Sequence, residues 1–182
     1  MSGDARLRRC LVLGSAACLW ADIEAALSVG EYDAVIAAKQ AGIVWPGELY
    51  GWVSLHPDWM MDYRKQRRDH GYPEPCEVVA NQMMPGIDRA IEYKWPGQTR
   101  SGASGGVAIK YAIDEGFERI VACGIPMSAE IGRIDGRPRW TSASTYQGPF
   151  RAALPFMKDK VRSVSGWTRK ELGAPTPEWL NS

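Results

Sequence analysis

Short apolar runs recur along the chain, each closed by glycine or by polar residues. They are Arg9 to Leu13, Ala34 to Ala38, Leu49 to Leu55, Glu77 to Ala80, Phe117 to Cys123 and Val161 to Ser165. Continuous rather than alternating apolar character marks strands buried on both faces, as in a parallel sheet. Between them the apolar positions fall at helical spacing: Ala17, Trp20, Ile23, Ala26 and Leu27 after the first run, and Val107, Ile109, Ala112 and Ile113 up to a stop at Gly116. Trp59 to His70, Gly148 to Lys160 and Thr168 to Leu172 read as further helices, the second bent by Pro149 and Pro155. This alternation predicts an α/β fold: a three-layer Rossmann-like open sheet, mostly parallel, with helices on both faces.

Two stretches interrupt the rhythm. Met83 to Gln98 carries Pro85, Gly86, Pro96 and Gly97 and reads as a connector with one strand-like piece at Ile91 to Trp95. Residues 127–150 are polar and aperiodic, with a turn signal at Asp135-Gly136, and read as a lid or excursion whose contact residues are Arg133, Arg137, Arg139 and Tyr146. Pro175-Thr176-Pro177 breaks the chain near its end, where Trp167 and Trp179 pack the tail. With 182 residues the whole chain, 1–182, is expected to form one domain.

In a doubly wound sheet ligands lie outside the C-terminal ends of the strands, so the residues closing each run are the candidate site. Gly14-Ser15 follows the first strand, and Ser15 is expected to cap the next helix with its amides facing an anion. A lone glycine is no G-x-G-x-x-G fingerprint, so a plain turn is an equal reading. Gln40 ends the second strand and can meet a base or ribose, or simply water. His56 ends the third and is the acid/base candidate of the two histidines, with a hydrogen-bonded turn histidine as the alternative. Ser101, Gly102, Ser104, Gly105 and Gly106 form a small-residue turn that lets a ligand approach, and Gly124 opens the mouth of the strand that follows. Arg64 to Arg68 reads as an exposed helix face, with phosphate or subunit contact as the alternative.

Composition narrows the partners. A net charge of +1 leaves no global field for nucleic acid. Cys10, Cys18, Cys76 and Cys123 lack C-x-x-C spacing, which points to free thiols, a cytoplasmic location and no structural zinc. Arg6, Arg8 and Arg9 ahead of the run to Cys18 imitate a lipoprotein signal, but Gly14 interrupts that run, and a polar tail entering a buried strand is expected instead. No apolar stretch has the length of a membrane span.

The order of these pieces resembles the bacterial sialyltransferases that build lipooligosaccharide, and the related Rossmann-like family that includes archaeal pterin pyrophosphokinases. L-V-L-G-S-A-A, ending at Ala17, is similar to the family's apolar strand and G-x-G-P-S turn. Lys39-Gln40 stands where the sialyltransferases have Asn-Gln, and His56-Pro57 where they have Asn-Pro. Ser104-Gly105-Gly106-Val107-Ala108, followed by Gly116-Phe117-Glu118-Arg119-Ile120 and then Gly124-Ile125, is the most specific match. Ala16-Ala17 replaces Gly-Pro in the first turn, Pro126 replaces an acidic residue, and no histidine follows His70 to match the family's late general base.

The resemblance implies binding of a nucleotide or nucleotide-activated small molecule, in the sialyltransferases CMP carried on the sugar. It implies no metal and no cofactor. It assigns Gly14, Ser15, Gln40, Ser104, Gly105 and Gly124 to the ligand, and a glycosyltransferase-like or pyrophosphotransferase-like activity. His56 and Tyr146 remain as the groups that chemistry would use. Two readings of other classes stand beside it: a non-catalytic, phage-derived interaction module forming homo-oligomers, and a hydrolase using Glu130 and Asp135.

Overall fold

The structure is a computed structural model that describes residues 8–100, 102–137, 139 and 141–182. The tail through Leu7, Ser101 of the small-residue turn, and Pro138 and Trp140 of the lid stretch lie outside the described residues.

Seven strands form one sheet: β1 (Arg9–Leu13), β2 (Ala34–Ala38), β3 (Gly51–Ser54), β4 (Val78–Ala80), β5 (Arg89–Ala90), β6 (Arg119–Cys123) and β7 (Val161–Ser163). The order is β5-β4-β3-β2-β1-β6-β7, and every pairing is parallel. The helices are α1 (Leu19–Val29), α2 (Ala41–Val44), α3 (Met60–Asp69), α4 (Ser104–Asp114), α5 (Ala143–Met157), α6 (Gly166–Leu172) and α7 (Pro177–Asn181). A single 3-10 turn, Pro57–Trp59, leads into α3.

Alternate residues of each strand serve opposite faces, so continuous apolar runs are required. Cys10, Val12, Ile36, Ala38, Val53, Val79, Ile120 and Ala122 pack with α4 and α5 through Ile109, Ala112, Phe150 and Met157. Leu11, Leu13, Ala37, Trp52, Val78 and Val121 pack with α1, α2 and α3 through Leu19, Ile23, Ile43, Met60 and Tyr63. The expected three-layer Rossmann-like sheet is therefore present, with no antiparallel strand among the named ones.

Local expectations fail where tertiary contact outweighs composition. Gly105 and Gly106 lie inside the first turn of α4 rather than in a turn before it. A Cβ on Gly105 would come within 3.0 Å of the Ile125 side chain, so the small residues let this helix press onto the chain leaving β6. α5 begins at Ala143, ahead of the expected Gly148, and contains both Pro149 and Pro155, which shortens the irregular segment. The edge strand is Arg89–Ala90, not Ile91 to Trp95. The tail does not break at Pro175-Thr176-Pro177: Thr176 Oγ1 accepts the Trp179 amide at 3.2 Å and Pro177 takes the first helical position, starting α7.

Arg67 corrects the reading of Arg64 to Arg68 as an exposed face. It is 1% exposed. Its guanidinium donates to the carbonyls of Pro73, Gly42, Trp45 and Gly47 at 2.6–2.7 Å. The loop beyond α2 thus wraps a buried cation, and the planar fork with its several donors suits the task as an ammonium would not.

Candidate functional site

The order in which strands are added reverses between β1 and β6. From β1 the chain builds outward through β2 to β5, then returns to lay β6 on the other side. Two helices diverging at such a point leave a crevice over the strand ends. Here the backbones of Gly14 and Gly124 close its floor. A Cβ on Gly14 would meet the Gly124 carbonyl oxygen at 2.3 Å, and Gly124, at φ +66°, would reach the Gly14 carbonyl at 2.6 Å. Neither position admits a side chain.

Above this floor lies a cavity of about 320 Å³, at the lower end of the range for small-molecule sites. Gly14, Ser15, Gln40, His56, Ser104, Gly105, Gly124 and Tyr146 all line it. Residues chosen from strand ends and one helix start are thus brought together at one mouth. Lys39, Met127, Arg133 and Asp135 line it as well.

Ser15 does not cap α1. Its hydroxyl donates to the Ala38 carbonyl at 2.9 Å and accepts the Ala41 amide at 3.2 Å, so it fastens the first turn to α2. The amides leading into α1 are engaged by the chain itself. Ala16 donates to the Gly124 carbonyl at 3.2 Å and Ala17 to the Gly132 carbonyl at 2.9 Å, while Ile134 donates to the Ser15 carbonyl at 3.0 Å. Residues 132–134 therefore form a strap across the first turn, recorded also as an antiparallel bridge between Ala16 and Arg133. Asp22, 4% exposed, lies in the first turn of α1. Its carboxylate accepts the Gly124 amide and the Ser165 hydroxyl, each at 2.7 Å, and the Cys18 thiol at 3.4 Å. Burial pushes the Cys18 thiol up to about 11, so it stays protonated.

The opposite side of the mouth is cationic. Burial, followed by the nearby Arg133 and Arg137, lowers Lys39 to about 8. Its ammonium lies 5.1 Å from the centre of the Trp59 ring. Asp135, the acid of this group, is held low by hydrogen bonds from Arg137. His56 stacks on Trp59 with ring centres 4.3 Å apart. Its imidazole is lowered from its ordinary value by burial, with Lys39 and Arg133 adding to the effect and Asp58 opposing it. A neutral imidazole at pH 7 follows, the form in which histidine accepts a proton.

Backbone strain concentrates at the same place. Among the described residues the non-glycine positions with positive φ are Lys39, at 51°, and Met127, at 47°, and both line the cavity. Such conformations are held only where surrounding contacts over-determine them. Lys39 is fixed by its amide bond to Val53 and by the Trp52 indole, which donates to the Lys39 carbonyl at 2.7 Å. Gln147 donates to the Met127 carbonyl at 2.9 Å.

Ser104, 6% exposed, accepts the Leu55 amide at 3.2 Å, which ties the start of α4 to the end of β3. Tyr146 stands in the first turn of α5, not in an irregular lid. The sequence offered Lys39 only as the neighbour of Gln40 and gave no sign of the buried Asp22 or the strained Met127. Lys39 carried the one legible signal, a polar residue closing a buried strand. Among the described residues no group of three or more His, Cys, Asp or Glu is arranged to hold a metal. No described helix is long and apolar enough to cross a membrane.

No protein-family model matches the chain, and no curated protein matches its sequence. Solved structures do. A sialyltransferase, CST-II in complex with a trisaccharide acceptor and CMP, superposes with a TM-score of 0.63 at 10% identity over 96% of this chain and 88% of that one. The fold is sialyltransferase-like. CstII from Campylobacter jejuni in complex with CMP-3FNeuAc matches at a TM-score of 0.60 and 11% identity, covering 97% of this chain and 88% of that chain. The monofunctional alpha-2,3-sialyltransferase Cst-I from Campylobacter jejuni matches at 0.60 and 12%, covering 100% and 84%. The likeness runs the length of the domain and concerns architecture: a transferase-like Rossmann-type sheet.

Proposed function

We propose that the crevice between β1 and β6 binds a nucleotide or nucleotide-activated sugar, and that the chain is a metal-independent, glycosyltransferase-like enzyme. The observation that carries this reading is the union of Lys39, His56, Arg133 and the start of α4 around one cavity at the switch point. Cations placed where a phosphate leaves stabilise developing negative charge without a metal. CMP and a CMP-sugar analogue in the structural neighbours supply the ligand class to try first.

In the transfer reaction the bond from the sugar carbon to the phosphate oxygen breaks, and its electron pair leaves on that oxygen, facing Lys39 and Arg133. The acceptor hydroxyl oxygen bonds to the same carbon. Neutral His56 takes its proton, and Tyr146 hydrogen-bonds the departing phosphate. Gly14, Ser15, Gln40, Ser104, Gly105 and Gly124 shape the nucleoside end.

Calorimetry with CMP, CDP, UDP, GDP and ADP tests the binding, with a dissociation constant tighter than ~1 mM expected for at least one, corresponding to roughly 4 kcal/mol. His56→Gln then slows CMP release from a CMP-sugar and leaves CMP affinity in place. If all five nucleotides stay above millimolar, the reading loses its support.

A second reading, a non-catalytic assembly module, is favoured by the exposed Trp20, stacked on Trp45 at 6.4 Å, with exposed Leu27 on the same helix. It predicts an oligomer in sedimentation that Trp20→Ser dissociates, and indifference to nucleotides.

A further inference from the structure

An anion entering the crevice meets two unlike walls. One is the start of α1, where open α/β sheets ordinarily seat a phosphate on free amides. The turn leading into it is engaged here: Ala16 donates to the Gly124 carbonyl, Ala17 to the Gly132 carbonyl, and Leu19, the first residue of α1, to the Ala16 carbonyl. The same helix end already holds a negative group. Asp22 accepts the Gly124 amide, the Ser165 hydroxyl and the Cys18 thiol and donates to none of them. A second anion placed there meets the Asp22 carboxylate in a poorly solvated setting and finds the Ala16, Ala17 and Leu19 amides engaged.

The other wall is the mouth of β2. Lys39 is held in the left-handed region by backbone bonds to Val53 and to the Trp52 indole. Its ammonium is stationed over Trp59, beside His56, which stacks on the same ring. The charged groups facing it are Arg133, Arg137 and Asp135, and Asp135 is bound by Arg137. Among the described residues neither Lys39 nor Arg133 forms a direct ion pair, and Asp135, which lines the same cavity, is paired with Arg137. A half-buried cation in strained backbone, whose neighbouring carboxylate Asp135 is already bound by Arg137, is a site arranged for an anion that the protein does not itself provide.

We infer that the phosphoryl group of the ligand is held at Lys39 and Arg133, on the β2 side of the crevice, and not at the N-terminus of α1. The nucleoside then extends toward Gly14, Gly124 and the start of α4. This rests on the nucleotide reading for the rest of the ligand, while the phosphoryl subsite is testable alone.

Inorganic pyrophosphate is the probe. Titrated into the whole chain labelled with nitrogen-15, it is expected to shift the amides of Lys39, Gln40 and Arg133 more than those of Ala16 to Leu19. Lys39→Asn removes the charge with a residue that tolerates the left-handed backbone, and Lys39→Arg retains it. Pyrophosphate affinity is expected to fall about ten-fold or more in Lys39→Asn, the scale of one charge-assisted hydrogen bond, and to recover in Lys39→Arg. Shifts centred on Ala16 to Leu19, equal affinity in Lys39→Asn, or absence of pyrophosphate binding overturns the inference. Should pyrophosphate behave as expected while no nucleotide binds, the subsite stands and the nucleotide reading fails. Should CMP bind while pyrophosphate ignores Lys39, the subsite fails and the nucleotide reading stands.

Discussion

The two ends of the sheet treat charge in opposite ways. At the N-terminal ends of the strands Arg89 and Arg8 are both partnered. Arg89 bridges Glu77 and Glu115 at 2.7 and 2.6 Å, Tyr111 and Tyr50 donate to the same two carboxylates, and Arg8 lies 4.2 Å from the centre of the Phe117 ring. At the C-terminal ends Lys39 sits half-buried and strained, facing two arginines and an acid that is already paired. The first arrangement is self-sufficient and holds strands β3 to β5 to α4. The second is where we propose that the ligand's anion binds.

The largest expected effect comes from the floor of the mouth. Gly14→Ala drives a Cβ into backbone that cannot move aside, and is expected to cost about 3 kcal/mol in denaturant unfolding; a loss below about 1 kcal/mol would show that the strand ends can part. Next is Lys39→Gly, which removes the cation and relaxes the left-handed backbone. Nucleotide affinity is expected to fall about ten-fold, while stability stays level or rises by up to ~1 kcal/mol. A variant that loses both would make Lys39 a structural residue and erase the contrast between the ends.

The pH dependence sharpens the same point. Lys39 holds its proton less tightly in the folded chain, about 8 against an ordinary 10.5. Between those values the unfolded chain binds more protons, so the contribution of Lys39 to stability is unfavourable below pH 8 and is relieved as pH rises through that window. Phosphate-ligand affinity runs the other way and is expected to decline above pH 8, a decline absent in Lys39→Arg. The smallest effect belongs to the paired end. Arg89→Met removes ion pairs to two part-exposed acids and is expected to cost within about 1 kcal/mol, with nucleotide affinity unchanged.

How much of this was legible in the chain follows from which interactions are local. The strands were, because burial on both faces demands unbroken apolar runs and because Gly14 and Gly124 end two of them. The gathering of strand-end residues at one mouth followed from the parallel topology. The start of α4 was not legible: Gly105 and Gly106 carry turn chemistry, and only the Ile125 side chain explains why a helix needs them. Arg67 stood inside a basic run, where nothing adjacent in sequence announces that carbonyls from Gly42 to Pro73 will surround it. Ser15 was read as the cap of α1, but its hydroxyl bonds the Ala38 carbonyl and the Ala41 amide and so serves the start of α2 instead. Asp22 and Lys39 look like ordinary helix and loop residues; that one accepts hydrogen bonds from Gly124, Ser165 and Cys18 and the other lines the crevice follows only from the tertiary fold.

The most direct test is an amide chemical-shift titration of the whole chain with CMP. The account predicts saturable shifts at Gly14, Lys39, Gln40, Ser104 and Gly124 to Ser128, and none at Arg8, Glu77, Arg89 or Glu115. Shifts at the paired end, or none anywhere at millimolar CMP, would contradict it.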